Sequence, residues 1–121
     1  MNTTEQVKDA IATFVKAGDT NDVSLLEHIL HPQFHNVQDG FFNEHGIFIF
    51  SKEDYKALVG SKRFGGAPRT IQFDSVNIDG NLAYATVQLE SSRLKFNSTI
   101  NLCHTNGQWK VIHNIPRIVP K

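Results

Sequence analysis

The chain has 121 residues, of which 40% are hydrophobic and 20% charged. Twelve lysines and arginines balance twelve aspartates and glutamates, so the formal net charge is zero, which argues against the basic excess of a nucleic-acid or membrane-surface binder. One cysteine, Cys103, rules out a disulfide within the chain and suits a reducing compartment. The length fits one domain, residues 1–121, which buries about two thirds of its unfolded surface. No apolar run approaches the ~18 residues of a membrane span, and MNTTEQVKDA has no apolar signal core. A cytoplasmic protein with no nucleic-acid or membrane partner is expected.

Thr3 and Gln6 form a capping-box pair, followed by Val7, Ala10, Ile11, Phe14 and Val15 at helical spacing, with Gly18 as the C-terminal stop. Asp19 or Asp22 caps a short second helix carrying Leu25, Leu26, Ile29 and Leu30, which Pro32 ends. Residues 34–38, FHNVQ, read as a strand and Asp39-Gly40 as a turn. FFNEHGIFIF has no clean period, with 47–50 extended. Ser51 and Asp54 open a third helix with Tyr55, Leu58 and Val59 inward, and a basic Gly/Pro-rich loop follows.

From Thr70 the chain is β, in stretches 70–78, 82–91, 94–104 and 109–118. Asn106-Gly107 is a strong two-residue hairpin signal. Counting outward from it pairs His104 with Trp109, Leu102 with Val111 and Ile100 with His113 on one face. The other face then pairs Cys103 with Lys110, Asn101 with Ile112 and Thr99 with Asn114. A turn at Ser92-Arg93 pairs Glu90 with Lys95, Leu89 with Phe96, Gln88 with Asn97, Val87 with Ser98, Thr86 with Thr99 and Ala85 with Ile100. Ile71 and Phe73 alternate in one phase and Val76 and Ile78 in the other, which predicts a bulge near Asp74-Ser75. Helices followed by an antiparallel meander give an α+β fold with the helices on one face.

FVKAGDTND, LHPQFHN, SKEDYKALV, VNIDGNLAYATVQL and NGQWKVIHNI, in that order, resemble the nuclear transport factor 2-like superfamily. The likeness is greatest to its putative lumazine-binding branch, beside the polyketide-cyclase-like and ketosteroid-isomerase-like branches. It implies a cone, in which a curved, mostly antiparallel sheet wraps around the N-terminal helices over an internal pocket. It also implies a homodimer built on the outer face of the sheet. Tyr84, Thr86, Thr99, Asn101, Ile112 and Asn114 are the expected outer-face residues. The chain departs from the isomerase pattern, because Ile11 falls near the place of the catalytic tyrosine and Gln38 or Asp39 near the base.

His113 is the one candidate catalytic residue. Its register puts it in the inward file of Trp109 and Val111, either as a core or interface histidine with one hydrogen bond, or as a pocket group able to move a proton. It is expected to be mostly buried beside the largest cavity, with Phe14, Val87 and Trp109 among the walls. Asn36 and Gln38, on the face of Phe34, are expected either as polar lining of the pocket or as solvated edge-strand amides; Ser98 is expected as a second polar wall group, and Tyr55 either to cap the pocket with its hydroxyl or to pack in the core. Lys62, Arg63 and Arg69 belong to a solvated mobile loop or to a lid supplying cations to an anionic ligand. Pro32 breaks any helical alignment of His31 with His35, and no Cys or acidic cluster completes a set with His28 and His45, so no metal is expected. No cofactor is expected either. Cys103 faces away from the pocket without a histidine beside it, which leaves a nucleophilic role unsupported.

Three functions fit these residues: a protein binding a small apolar or ring-containing molecule; an acid/base enzyme (cyclase, isomerase or dehydratase) acting on an apolar ring compound; and a non-catalytic structural or regulatory dimer.

Overall fold

The first helix buries the stripe its spacing dictates. Val7, Ala10, Ile11, Phe14 and Val15 face inward along α1, Thr3–Asp19. Asn2, one residue before the expected cap, accepts the Glu5 N–H. The helix runs through Gly18, which is buried in its last turn. Asp22 caps α2, Val23–Ile29, accepting from the Leu25 N–H. Ser51 and Asp54 form the reciprocal capping box of α3, Lys52–Gly60. The buried ammonium of Lys52 donates to the carbonyls of Glu27 and Leu30, tying the start of α3 to the end of α2. The computed structural model describes residues 2–121.

Six strands follow the order β2-β1-β6-β5-β4-β3 in one sheet. They are β1, Leu30–Phe41; β2, Glu44–Ser51; β3, Thr70–Asp79; β4, Leu82–Glu90; β5, Leu94–Thr105; and β6, Gln108–Pro120. All neighbours are antiparallel except β1 and β6, which run parallel. This α+β sheet, curved over three helices, is the expected cone. The β1–β2 turn lies at Phe42-Asn43, beyond the expected Asp39-Gly40. In β2 the Ile-Phe-Ile-Phe run is two-faced: Ile47 and Ile49 are exposed, while Phe48 and Phe50 turn in against Phe41.

Bulges bend the sheet. Phe73 pairs with Val87 but Ser75 with Thr86, so Asp74 is the extra residue in β3, as the change of phase predicts. The β4–β5 register also matches its expectation from Glu90–Lys95 to Ala85–Ile100. A second bulge was not expected. Leu102 pairs with Val111, but Asn101 pairs with His113 and Ile100 with Asn114, which leaves Ile112 as a surplus residue in β6. Side chains beyond Ile112 therefore exchange faces. His113 is exposed, not buried against Ile100, and Asn114 is buried, not on the outer face.

The basic loop 61–69 is held against the end of α1. Gly66 N–H donates to the Gly18 carbonyl, and the Asn21 amide donates to the carbonyls of Val59 and Phe64. At Gly65, φ is +78° and an added Cβ would lie 2.0 Å from the Gly18 oxygen, which is possible only for glycine. Gly65→Ala should therefore lower stability by about 2 kcal/mol or more in urea unfolding. Gly80→Ala is the control: it shares a left-handed backbone, φ +61°, but meets open space. Its expected loss is only the backbone part, about 1 kcal/mol.

Candidate binding cavity

A cavity of about 450 Å³ opens between the helices and the inner face of the sheet, within the size range of small-molecule sites. Its apolar walls include Phe14 and Val59 from the helices, Phe64 and Ala67 from the loop, and Leu89 and Phe96 from the sheet. Tyr55 on α3 belongs to the same aromatic set. Its ring stacks on Phe14 at 5.9 Å and meets Phe34 edge-on at 5.3 Å and Phe64 at 5.9 Å. These rings support one another around the space.

Along β1 the inward positions are Phe34, Asn36 and Gln38, since alternate side chains share a face. All three are buried. Asn36 pairs across the parallel junction with Asn114 of β6. The three amides form one row. Asn114 Nδ2 donates to Asn36 Oδ1 at 2.8 Å, Asn36 Nδ2 to Gln38 Oε1 at 2.8 Å, and Gln38 Nε2 to the Gly40 carbonyl at 3.0 Å. Asn36, Gln38, Gly40 and Asn114 all line the cavity, as does Ser98 on β5.

One charged pair sits in the wall. Arg69 Nε donates to Asp19 Oδ1 at 2.6 Å, and the Arg69 backbone N–H donates to Asp19 Oδ2 at 3.1 Å. The guanidinium also lies 4.8 Å from the centre of the Phe96 ring. Both side chains are largely buried, so the carboxylate cancels the arginine's charge inside the wall. Arg63 lies over the Phe41 and Phe42 rings, 5.1 and 5.0 Å from their centres. It is exposed, as is Asp39, and both lie among the cavity-lining residues.

Of the residues expected at a pocket, Phe14, Asn36, Gln38, Tyr55 and Ser98 are gathered around this space. Three are not. Val87 and Trp109 are packed in the core, the latter with its ring 5.0 Å from His104. His113 is turned to the outer face by the surplus Ile112 and lies 6.5 Å, ring to ring, from His35. Its place as the inward polar group of β6 is taken by Asn114, which strict alternation puts on the outer face. Pro116 and Ile118 follow Asn114 in that inward file. Among the described residues no three His, Cys, Asp or Glu side chains gather as a metal set. His31 instead accepts the Gln33 N–H beside Pro32. Cys103 is buried, which pushes its thiol pKa up, with Lys110 pulling back.

Residues 2–115 match the family described as "Putative lumazine-binding". The chain belongs to that family, and its fold is the nuclear transport factor 2-like one. No curated protein matches it. Among solved structures, it resembles a nuclear transport factor 2-like protein of unknown function from Silicibacter pomeroyi DSS-3. That likeness has a TM-score of 0.83 at 20% identity and covers 98% of this chain and 100% of that one. A nuclear transport factor 2-like protein from Cytophaga hutchinsonii ATCC 33406 superposes with a TM-score of 0.79 at 19% identity, covering 98% and 100%. A de novo designed protein with a curved β-sheet superposes with a TM-score of 0.66 at 15% identity, covering 91% and 97%. At these identities the likeness to all three is one of fold. No helix among the described residues is long and apolar enough to cross a membrane.

Burial raises the Tyr55 phenol above the ordinary 10.0, with Arg69 opposing and Asp19 adding to the shift. In Tyr84→Phe, which leaves Tyr55 as the only tyrosine, the phenolate absorbance of the folded protein should rise at higher pH than that of the unfolded chain. Below about pH 10 both states keep the proton and Tyr55 adds no pH dependence to stability. Above it the unfolded chain ionises first, so stability falls as pH rises until the folded phenol also titrates. Tyr55→Phe should remove that part of the slope.

Proposed function

We propose that this lumazine-binding family member holds a small, uncharged ring compound in the cavity between helices and sheet. The observation that carries this reading is the cavity itself, about 450 Å³ of space among aromatic side chains that do not fill it. A core with no ligand to admit closes such space, because close packing of Phe and Tyr side chains is favourable. Lumazine, named in the family's description, is a fused two-ring compound of suitable shape and is the first probe.

The acid/base reading has less support. The buried polar row is made of amides, which neither gain nor lose a charge near neutral pH, and burial keeps the Tyr55 phenol neutral. A purely structural dimer leaves the open cavity without a role. A cytoplasmic setting is proposed from the single cysteine, Cys103, which suits a reducing compartment.

Thermal-shift titration with lumazine and a panel of fused-ring metabolites tests this reading. At least one compound should raise the midpoint, and Ser98→Phe, which fills the space, should weaken its binding by about tenfold or more. A panel without any shift, or binding unchanged by Ser98→Phe, overturns the assignment.

A second copy of the chain is the proposed partner for the outer face of the sheet. Ile47, Ile49, Tyr84 and Ile115 are exposed there, beside Thr86, Thr99, Asn101 and Ile112. The bulge thus replaces Asn114 on this face by His113 and Ile115. The residues named, four isoleucines and one tyrosine among uncharged polar side chains, resemble the central part of an interface, with Glu90, Lys95 and Arg117 exposed farther along the same face. Light scattering at micromolar concentration should give a dimer mass, and Ile115→Glu should give a monomer. A monomeric wild-type protein sinks the proposal.

A further inference from the structure

The amide row has a direction, and the direction identifies what the cavity asks of its ligand. A backbone carbonyl can only accept, so the Gly40 oxygen fixes the NH₂ end of Gln38 toward itself. Gln38 Oε1 must then accept from Asn36, and Asn36 Oδ1 from Asn114. The sequence of donors and acceptors allows no reversal, because reversing it would set the Gln38 oxygen against the Gly40 oxygen. Asn114 is thereby committed to donating, and its own oxygen is left over. Asn114 is 6% exposed and lines the cavity, and Oδ1 is buried with no hydrogen-bond partner.

Leaving a buried acceptor unpaired costs on the order of 1–3 kcal/mol. It persists where something outside the chain supplies the missing donor. We propose that the ligand carries an O–H or N–H on the edge of its ring and donates it to Asn114 Oδ1, so that Asn114 is the residue selecting donor-bearing ring compounds over acceptor-only ones. This rests on the reading of the cavity as a ring-compound site. It goes further by giving that compound a required hydrogen-bond polarity. The preceding bonds in the row polarise the Asn114 amide and strengthen its oxygen as an acceptor.

The test compares two flat probes, 2-naphthol and its methyl ether 2-methoxynaphthalene, in which a methyl replaces the donor hydrogen, by isothermal titration calorimetry. The ether is the more apolar of the two, so burial alone favours it. The wild-type protein should instead bind 2-naphthol more tightly, by about tenfold. In Asn114→Leu, which keeps the branched shape and removes the oxygen, that preference should vanish or reverse, with circular dichroism showing the fold retained. Equal affinities in the wild type, or tighter binding of the ether, overturn the proposal while leaving the cavity's role intact. So does a naphthol preference that survives in Asn114→Leu. The comparison in the wild-type protein decides the matter even where Asn114→Leu fails to fold. Failure of both probes to bind overturns the reading of the cavity itself, and the donor assignment with it.

Discussion

The polar character of the cavity depends on one surplus residue. β6 carries Ile112 where β5 has nothing to pair with it, so the pleat phase of β6 reverses after Val111. With strict alternation His113 and Ile115 would point inward, and Asn114 would be on the outer face. With the bulge, Asn114 meets Asn36 across the parallel β1–β6 junction. A titratable imidazole is thereby exchanged for a neutral amide inside the cone, and a polar side chain for an isoleucine outside it. One backbone irregularity therefore decides both what the cavity can recognise and how apolar the outer sheet face is.

The opposite wall depends on the end of α1. Ala17-Gly18-Asp19 makes three separate contributions. Ala17 and Gly18 are buried in the last turn. At Gly18 an added Cβ would stand 3.1 Å from the Arg69 guanidinium, and the Gly18 carbonyl receives the Gly66 N–H. Asp19 then binds Arg69 through both the side chain and the backbone. The loop carrying Phe64 and Ala67 is thus pinned at several points. Arg69 is engaged in holding the wall and is not free to meet an anionic ligand. Of the loop's other cations, Arg63 is at the rim over Phe41 and Phe42.

Much of the fold was legible in the sequence because its signals are local. Asn106-Gly107 sets the first pairs of its hairpin, from His104–Trp109 to Leu102–Val111. The bulge at Asp74 shows itself because apolar residues flank it in both phases, Ile71 and Phe73 before, Val76 and Ile78 after. At Ile112 that contrast is missing. Isoleucines occupy 112 and 115, both on the outer side, while the inward positions beyond the bulge begin with Asn114 and Pro116. Periodicity assigned the face wrongly because it counts apolar residues, and here the polar one is inside. The β1–β6 pairing joins residues 78 positions apart, such as Asn36 and Asn114, and no turn chemistry announces a parallel contact. Asn36 and Gln38 could be placed inward from Phe34, but the row they complete with Asn114 could not be read until the strands were brought together.

A cavity built this way discriminates by pairing, not by charge. The single buried ion pair in its wall is internally compensated, Arg63 and Asp39 are exposed to solvent at its edge, and the buried groups lining it are rings, aliphatic side chains, serines and amides. Apolar walls alone distinguish poorly between ring compounds of similar size, since a methyl group more or less changes burial by only about 0.8 kcal/mol. A fixed, unpaired acceptor distinguishes them better, because a ring without a donor leaves the acceptor buried and unsatisfied. The fixity is what makes this work. An isolated asparagine could turn its amide over and present whichever end a ligand requires, but Asn114 cannot do so without breaking its bond to Asn36, and Asn36 is held in turn by Gln38 and the Gly40 carbonyl. The preference for a donor is therefore anchored in backbone geometry, at a glycine that holds φ at +90°, three bonds away from the atom that expresses it.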